Sequence, residues 1–178
     1  MIFELHQAIS ILERTPGVLK SLLFDVGEEW STANEGRDSW SPFDVVGHLI
    51  HGENTDWLVR TQHILEHGPE IPFEPYDRFA QFENSKGKNF EDLLNEFEML
   101  RAKNIKTLKS LNLTNDDFER KGMHPGLGEV TLSQLLSAWV VHDLGHIAQI
   151  SRVLAKHYKN EVGPWTQYLT ILNFTPKE

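Results

Sequence analysis

Apolar positions recur along most of this chain at helical spacing, and four long segments carry the pattern. The first runs from about Phe3 to Phe24, with Leu5, Ile9, Leu12, Val18, Leu22 and Leu23 near one face. It is interrupted at "RTPG", where Thr15 can cap and Pro16 suits the first position of a restarted turn. The second opens at "SPFD", with Ser41 as N-cap and Pro42 first in the helix, and continues to about His67, where "GPEIP" stops it. The third starts near Asn89, carries Phe90, Leu93, Leu94, Phe97, Leu100, Ile105 and Leu108, and ends near Leu111. The fourth opens on a Thr-x-x-Gln capping box, Thr131 to Gln134, and extends to about Tyr158. A short last helix is predicted from Pro164 to Leu172.

No segment sustains a period-two alternation rich in β-branched residues, so the fold class predicted is all-α, an up-down four-helix bundle. Helices two and three are joined by a long irregular connection, "HGPEIPFEPYDRFAQFENSKGK". Connections of that length in a compact domain are usually functional or mobile. Its Phe73, Tyr76, Phe79 and Phe82 are expected to seal one end of the core, with a substrate lid as the alternative.

Composition narrows the function. The 178 residues, 39% hydrophobic and 24% charged, fit a single domain over 1–178 that is long enough to bury a core. A balance of 17 basic against 26 acidic residues, net charge -9, with no basic cluster, argues against nucleic acid as a partner. The start, "MIFELHQAIS", lacks the pattern of a signal peptide, and no window reaches the roughly 20 apolar residues of a membrane span. A soluble, cytoplasmic protein without a membrane partner is expected. The chain has no cysteine, which excludes disulfides, thiolate ligands and a cysteine nucleophile.

Candidate chemistry sits in helix four, in "SAWVVHDLGHIAQI". At about 100° per residue, His142, His146, Gln149, Trp139, Leu135, Ile150 and Val153 share one arc. Both histidines therefore point inward, where a ring nitrogen is costly unless satisfied. Two of them on consecutive turns can share a cation; the alternative is a pair of core histidines, each bonded to a neighbour or a water. A pair cannot fill a coordination shell, so a third ligand must come from another helix. Helix two offers His48 and His51 in "GHLIHGE", and periodicity alone hardly separates them. His63 and His67 read as solvated, and His124, in "GMHPGLGE", as a loop residue.

The segments "WSPFDVVGHLIHGE", "FEMLRAKN" and "HPGLGEVTLSQLLSAWVVHDLGHIAQI", in that order and spacing, resemble the DinB-like superfamily, also called DinB/YfiT-like metalloenzymes. The resemblance runs from "RTPGVLKSLL" in helix one to "VGPW" near the end. It implies a four-helix bundle, often homodimeric, with a divalent metal held by one histidine of helix two and two of the last helix. Those positions carry over onto His48, His142 and His146.

Three neutral imidazoles would leave the dication's charge intact and positions open, the pattern of a catalytic rather than a closed structural site. Zinc and nickel are the expected metals, iron a further choice, and imidazole alone does not select among them. The function expected is a metal-dependent hydrolase, or an S-transferase using a low-molecular-weight thiol as cosubstrate, acting on a small molecule. The alternative is a non-catalytic module in which a closed metal shell fastens two helices or the pocket holds a ligand. Asp143 is a candidate base or orienter of a ligand ring, with pairing to a neighbouring helix as the other reading. Gln149 is a candidate hydrogen-bond partner of a metal water or substrate. Glu53, Trp57 and Arg60 lie on a face of helix two away from His48 and, together with Arg101 of helix three, read as an ion-pair and packing set. Phe24 and Trp30 are candidate interface residues.

Overall fold

The computed structural model describes residues 3–36 and 39–174. Four helical legs build it. The first is α1 (Leu5–Leu12) and α2 (Thr15–Leu23), followed by the short α3 (Glu28–Thr32). The second is α4 (Pro42–Thr55) and α5 (Trp57–His67), and α6 (Ala80–Asn84) lies within the long connection. The third leg is α7 (Phe90–Ser110), followed by α8 (Asn115–Phe118) and two strands, β1 (Lys121–His124) and β2 (Gly128–Thr131). The fourth leg is α9 (Leu132–Lys156), and two 3-10 turns, Gly163–Tyr168 and Thr170–Leu172, stand where one last helix was expected.

Local chemistry accounts for the helix starts. Ser41 Oγ accepts from the Asp44 N–H at 3.2 Å while Asp44 accepts from the Ser41 N–H at 2.9 Å, a full capping box, and Pro42 needs no donor there. Thr131 and Gln134 form the same reciprocal pair at the start of α9. Thr15 does not cap: it lies inside α2, after N-cap Arg14, with its hydroxyl buried and unpaired among the described residues.

Two departures from the periodicity matter for function. Helix two is broken at Asp56, whose φ of -118° and ψ of -84° end α4 and restart α5 on a different rotation. In addition, the fold is not purely helical, because "KGMHPGLGEVT" closes into an antiparallel hairpin with Lys121 opposite Thr131 and His124 opposite Gly128. The strands have four residues each, too short for a period-two signal, and the turn residues were their only trace. A Cβ at Gly122 would stand 2.6 Å from Phe73 and 2.7 Å from Ile64, so the hairpin rests directly on the second leg.

The aromatics of the long connection divide. Phe73 is buried in the core, as expected of a seal, and its N–H donates to the Met123 carbonyl at 2.9 Å. Phe79 and Phe82 are exposed, and Tyr76 turns onto the histidines. Trp30, a candidate interface residue, stacks on His157 at 4.0 Å.

The apolar core falls into two clusters. One gathers Leu12, Trp57, Ile64, Ile105, Leu108 and Trp139; the other gathers Leu19, Val45, Leu49, Leu93, Phe97 and Ile150. Along α7 the residue between the clusters is Arg101, along α9 it is Asp143, and in helix two it is Glu53, all buried. Arg101 spends all five guanidinium N–H groups there: on Glu53 Oε1 at 2.9 and 2.7 Å, on Asp143 at 2.6 and 3.1 Å, and on the Leu12 carbonyl at 2.8 Å. Asn104 donates to the other Glu53 oxygen at 3.0 Å.

Candidate metal centre

One turn above Glu53 on α4, and one residue before Asp143 on α9, a second polar cluster forms. His48, His142 and His146 bring one ligand atom each within 4.8 Å of the other two. The i, i+4 spacing on α9 brings two of the rings together edge to face, and the packing of α4 against α9 supplies the third. His142 Nε2 lies 2.9 Å from His48 Nε2 and 3.1 Å from His146 Nε2.

The outward nitrogens are held separately. His146 Nδ1–H donates to Gln149 Oε1 at 3.0 Å, which turns the Nε2 lone pair of that ring inward. His48 Nδ1 is 3.2 Å from the Tyr76 hydroxyl, and the Tyr76 ring stands edge-on to His48. His142 Nδ1 is buried with no partner among the described residues.

Electrostatics keep the three rings neutral. Burial pushes His48 down to about 3, helped by His146, His51 and Arg78. It pushes His142 down to about 2, helped by His146 and His48. His146 is lowered by burial against the opposing pull of Gln149 and Asp143. Neutral imidazoles whose lone pairs converge repel one another unless a proton or a cation stands between them. Metal–nitrogen bonds of about 2.0–2.1 Å hold neighbouring ligand nitrogens about 3.0–3.4 Å apart, so the spacing and donor chemistry fit a divalent ion.

A cavity of about 450 Å³ opens over these rings. Trp40 forms one wall, 4.8 Å from the His48 ring, and Trp57 another, 5.1 Å from the His142 ring. Asp56, Arg60, Tyr76, Arg78 and His124 complete the lining. Trp57 and Arg60 thus share a cavity with His48, contrary to the wheel, because the break at Asp56 turns α5 relative to α4. Arg60 Nε is paired with Asp56 at 2.8 Å. His51 stays outside the three-histidine group and packs under Tyr76 at 5.0 Å. His124, expected in a loop, ends β1 and lines the cavity.

Of the two roles open to Asp143, the structure shows the ion pair: its carboxylate is fully buried on Arg101 and is not part of the cavity lining. Gln149 sits behind His146, on the side away from the converging nitrogens. Trp40, Asp56 and Arg78 were not expected in the cavity, and Tyr76 was expected over it only in the alternative reading of the long connection as a lid. Trp40 beside the Ser41 cap carried a usable signal; the others arrive through the helix break and the path of the long connection, which no local pattern encodes.

Comparison with known proteins agrees with this geometry. A family model described as the DinB superfamily matches residues 11–150. A relative from Bacillus licheniformis, named a "putative metal-dependent hydrolase", is 26% identical over 148 residues, covering 83% of this chain and 83% of its own. One from Oceanobacillus iheyensis with the same description is 24% identical over 148 residues, covering 83% and 84%. Among solved structures, YfiT from Bacillus subtilis, described as a probable metal-dependent hydrolase with an unusual four-helix bundle topology, matches with a TM-score of 0.74 at 26% identity, over 85% of this chain and 86% of that one. TT2238, a four-helix bundle protein, matches with a TM-score of 0.50 at 16% identity over 82% and 97%, and speaks for the fold alone.

Proposed function

The chain belongs to the DinB superfamily, and from that premise we propose that His48, His142 and His146 hold one divalent ion through Nε2 and that the protein is a metal-dependent hydrolase of a small molecule. The observation that carries this reading is the convergence of three neutral Nε2 atoms, with no carboxylate among them, under a cavity large enough for a substrate. When bound, a divalent ion supplies Lewis acidity that polarises a substrate oxygen and brings water or a thiol towards deprotonation near neutral pH.

The chain's own residues do the rest. Gln149 fixes the tautomer and rotation of His146, and Tyr76 holds the rotation of the His48 ring. Trp40 and Trp57 exclude water from two sides, which strengthens every charge interaction in the cavity. Asp56 is the carboxylate that lines the cavity; burial raises its pKa while Arg60 holds its position, which suits it to take a proton from the nucleophile. The open reading of the shell is supported by Gln149 and Asp143, two of the residues that could have completed it, being engaged elsewhere, Gln149 on His146 and Asp143 on Arg101. Attack by a thiol cosubstrate would use the same open position, and no residue of this cavity favours it over water.

Elemental mass spectrometry of tag-free protein tests the reading. About one equivalent of zinc, nickel or iron is expected in the native chain and none in His142→Ala. A native chain that takes up no metal after incubation with these ions would overturn the proposal.

A further inference from the structure

The arginines around the cavity differ in how they are neutralised. Arg60 is paired with Asp56 at 2.8 Å, Arg101 is enclosed by Glu53 and Asp143, and Arg152 closes on Glu35 at 3.0 Å. Arg78 closes on no carboxylate among the described residues. It lies instead over two aromatic faces, its Cζ 5.4 Å from the Trp40 ring and 5.6 Å from the Phe79 ring, at the exposed rim of the cavity that holds the histidines. A guanidinium held against aromatic faces is positioned without being neutralised, so its N–H donors remain available for an oxyanion. In a chain of net charge -9, an unpaired arginine at the mouth of the cavity is a local reversal of sign that draws anions to this opening.

We propose that Arg78, seated on Trp40, is the anion-recognising residue of this site, and that the substrate carries a carboxylate or phosphate close to the group that reacts over the histidines. The inference rests on the metal-site reading above and adds the substrate class to it. Geometry limits the separation. Trp40 is 4.8 Å from the His48 ring and 5.4 Å from the Arg78 guanidinium, so the His48 ring centre and the guanidinium carbon lie at most about 10 Å apart, and the reacting and anionic ends of the substrate are separated on that scale. A small molecule with an anionic tail of a few bonds fits that span; a long chain with a remote charge does not. Arg60, tied to Asp56, lines the same cavity without offering a free charge.

The test uses zinc-loaded protein and three hydroxamates that chelate the metal through the same head group and carry a short tail ending in a carboxylate, a phosphonate or a neutral carboxamide. Isothermal titration calorimetry is expected to show one or both anionic probes binding about tenfold more tightly than the carboxamide, the margin of one charge-assisted pair. That margin should vanish in Arg78→Gln and survive in part in Arg78→Lys, which keeps the charge and loses the planar fork. The better of the two anions identifies carboxylate or phosphate as the group recognised. Equal affinity for all three probes, no binding of any of them by protein holding one equivalent of zinc, or an anion preference that persists in Arg78→Gln would each overturn the anion seat while leaving the metal site intact. Protein that holds no zinc fails the earlier reading, and the anion seat falls with it. Because Arg78 is exposed, neither variant should alter the fold.

Discussion

Two polar clusters sit side by side in the middle of this bundle, built from neighbouring residues of the same two helices, and they have opposite characters. His142 and Asp143 are adjacent on α9, and His48 and Glu53 are five positions apart on α4. At Arg101 every donor is matched to a buried acceptor, and the cluster joins all four legs of the bundle. At the histidines three lone pairs face one another, one ring nitrogen has no partner, and a cavity opens above. A cluster complete in itself has structure as its role. One that is incomplete, and held so by surrounding packing, is arranged for something to be added.

Removing the cation from the complete cluster should produce the largest effect. Arg101→Met leaves Glu53 and Asp143 buried without their partner, and an expected loss of about 3–5 kcal/mol should appear in urea unfolding. A loss under about 1 kcal/mol would mean that water reaches the carboxylates and the cluster is not closed.

The incomplete cluster should reveal itself through pH. His48 and His142 titrate near 6.5 when unfolded but only at about 3 and about 2 when folded. As pH falls below 6.5 the unfolded chain therefore takes up protons that the folded chain refuses, and stability falls. It is fully present above 6.5 and declines down to about 2, the lower of the two folded values. Between pH 6.5 and 5.5 the two rings together should remove about 2 kcal/mol from metal-free protein. Urea titrations across that range, repeated on His142→Ala, should show a shallower slope in the variant. A native profile as flat as the variant's would contradict neutral, desolvated rings.

The smallest effect sharpens the boundary between the clusters. Gln149 touches the histidine site only from behind, so Gln149→Ala should weaken metal affinity about tenfold, measured by competition with a chelating dye, with circular dichroism unchanged. Unchanged affinity would assign Gln149 to packing alone.

The helical legs were legible in the sequence because their determinants are local: apolar spacing along α7 and α9, the capping residues Ser41 and Thr131, the break at "RTPG". The inward position of His142 and His146 followed from the same periodicity, since two residues four apart on one helix share a face wherever the helix packs. The choice of His48 over His51 came from family resemblance; in the structure both are buried, and only His48 is brought to the α9 pair by the packing of α4 on α9. Reasoning failed where one residue altered a long-range frame. Asp56 turned Trp57 and Arg60 into the cavity, and four-residue strands were too short to register against the helical background.

The sequence by itself therefore determined the four-helix frame and the inward-facing histidine pair, because helix period and capping are properties of neighbours along the chain. Only the tertiary structure decided that Asp143 serves Arg101 rather than the histidines, that Tyr76 comes back over His48, and that Arg78 stands at the cavity mouth without a paired carboxylate among the described residues. Those outcomes depend on which side chains from distant segments reach a given buried charge first, a competition settled by packing geometry that leaves no periodic trace.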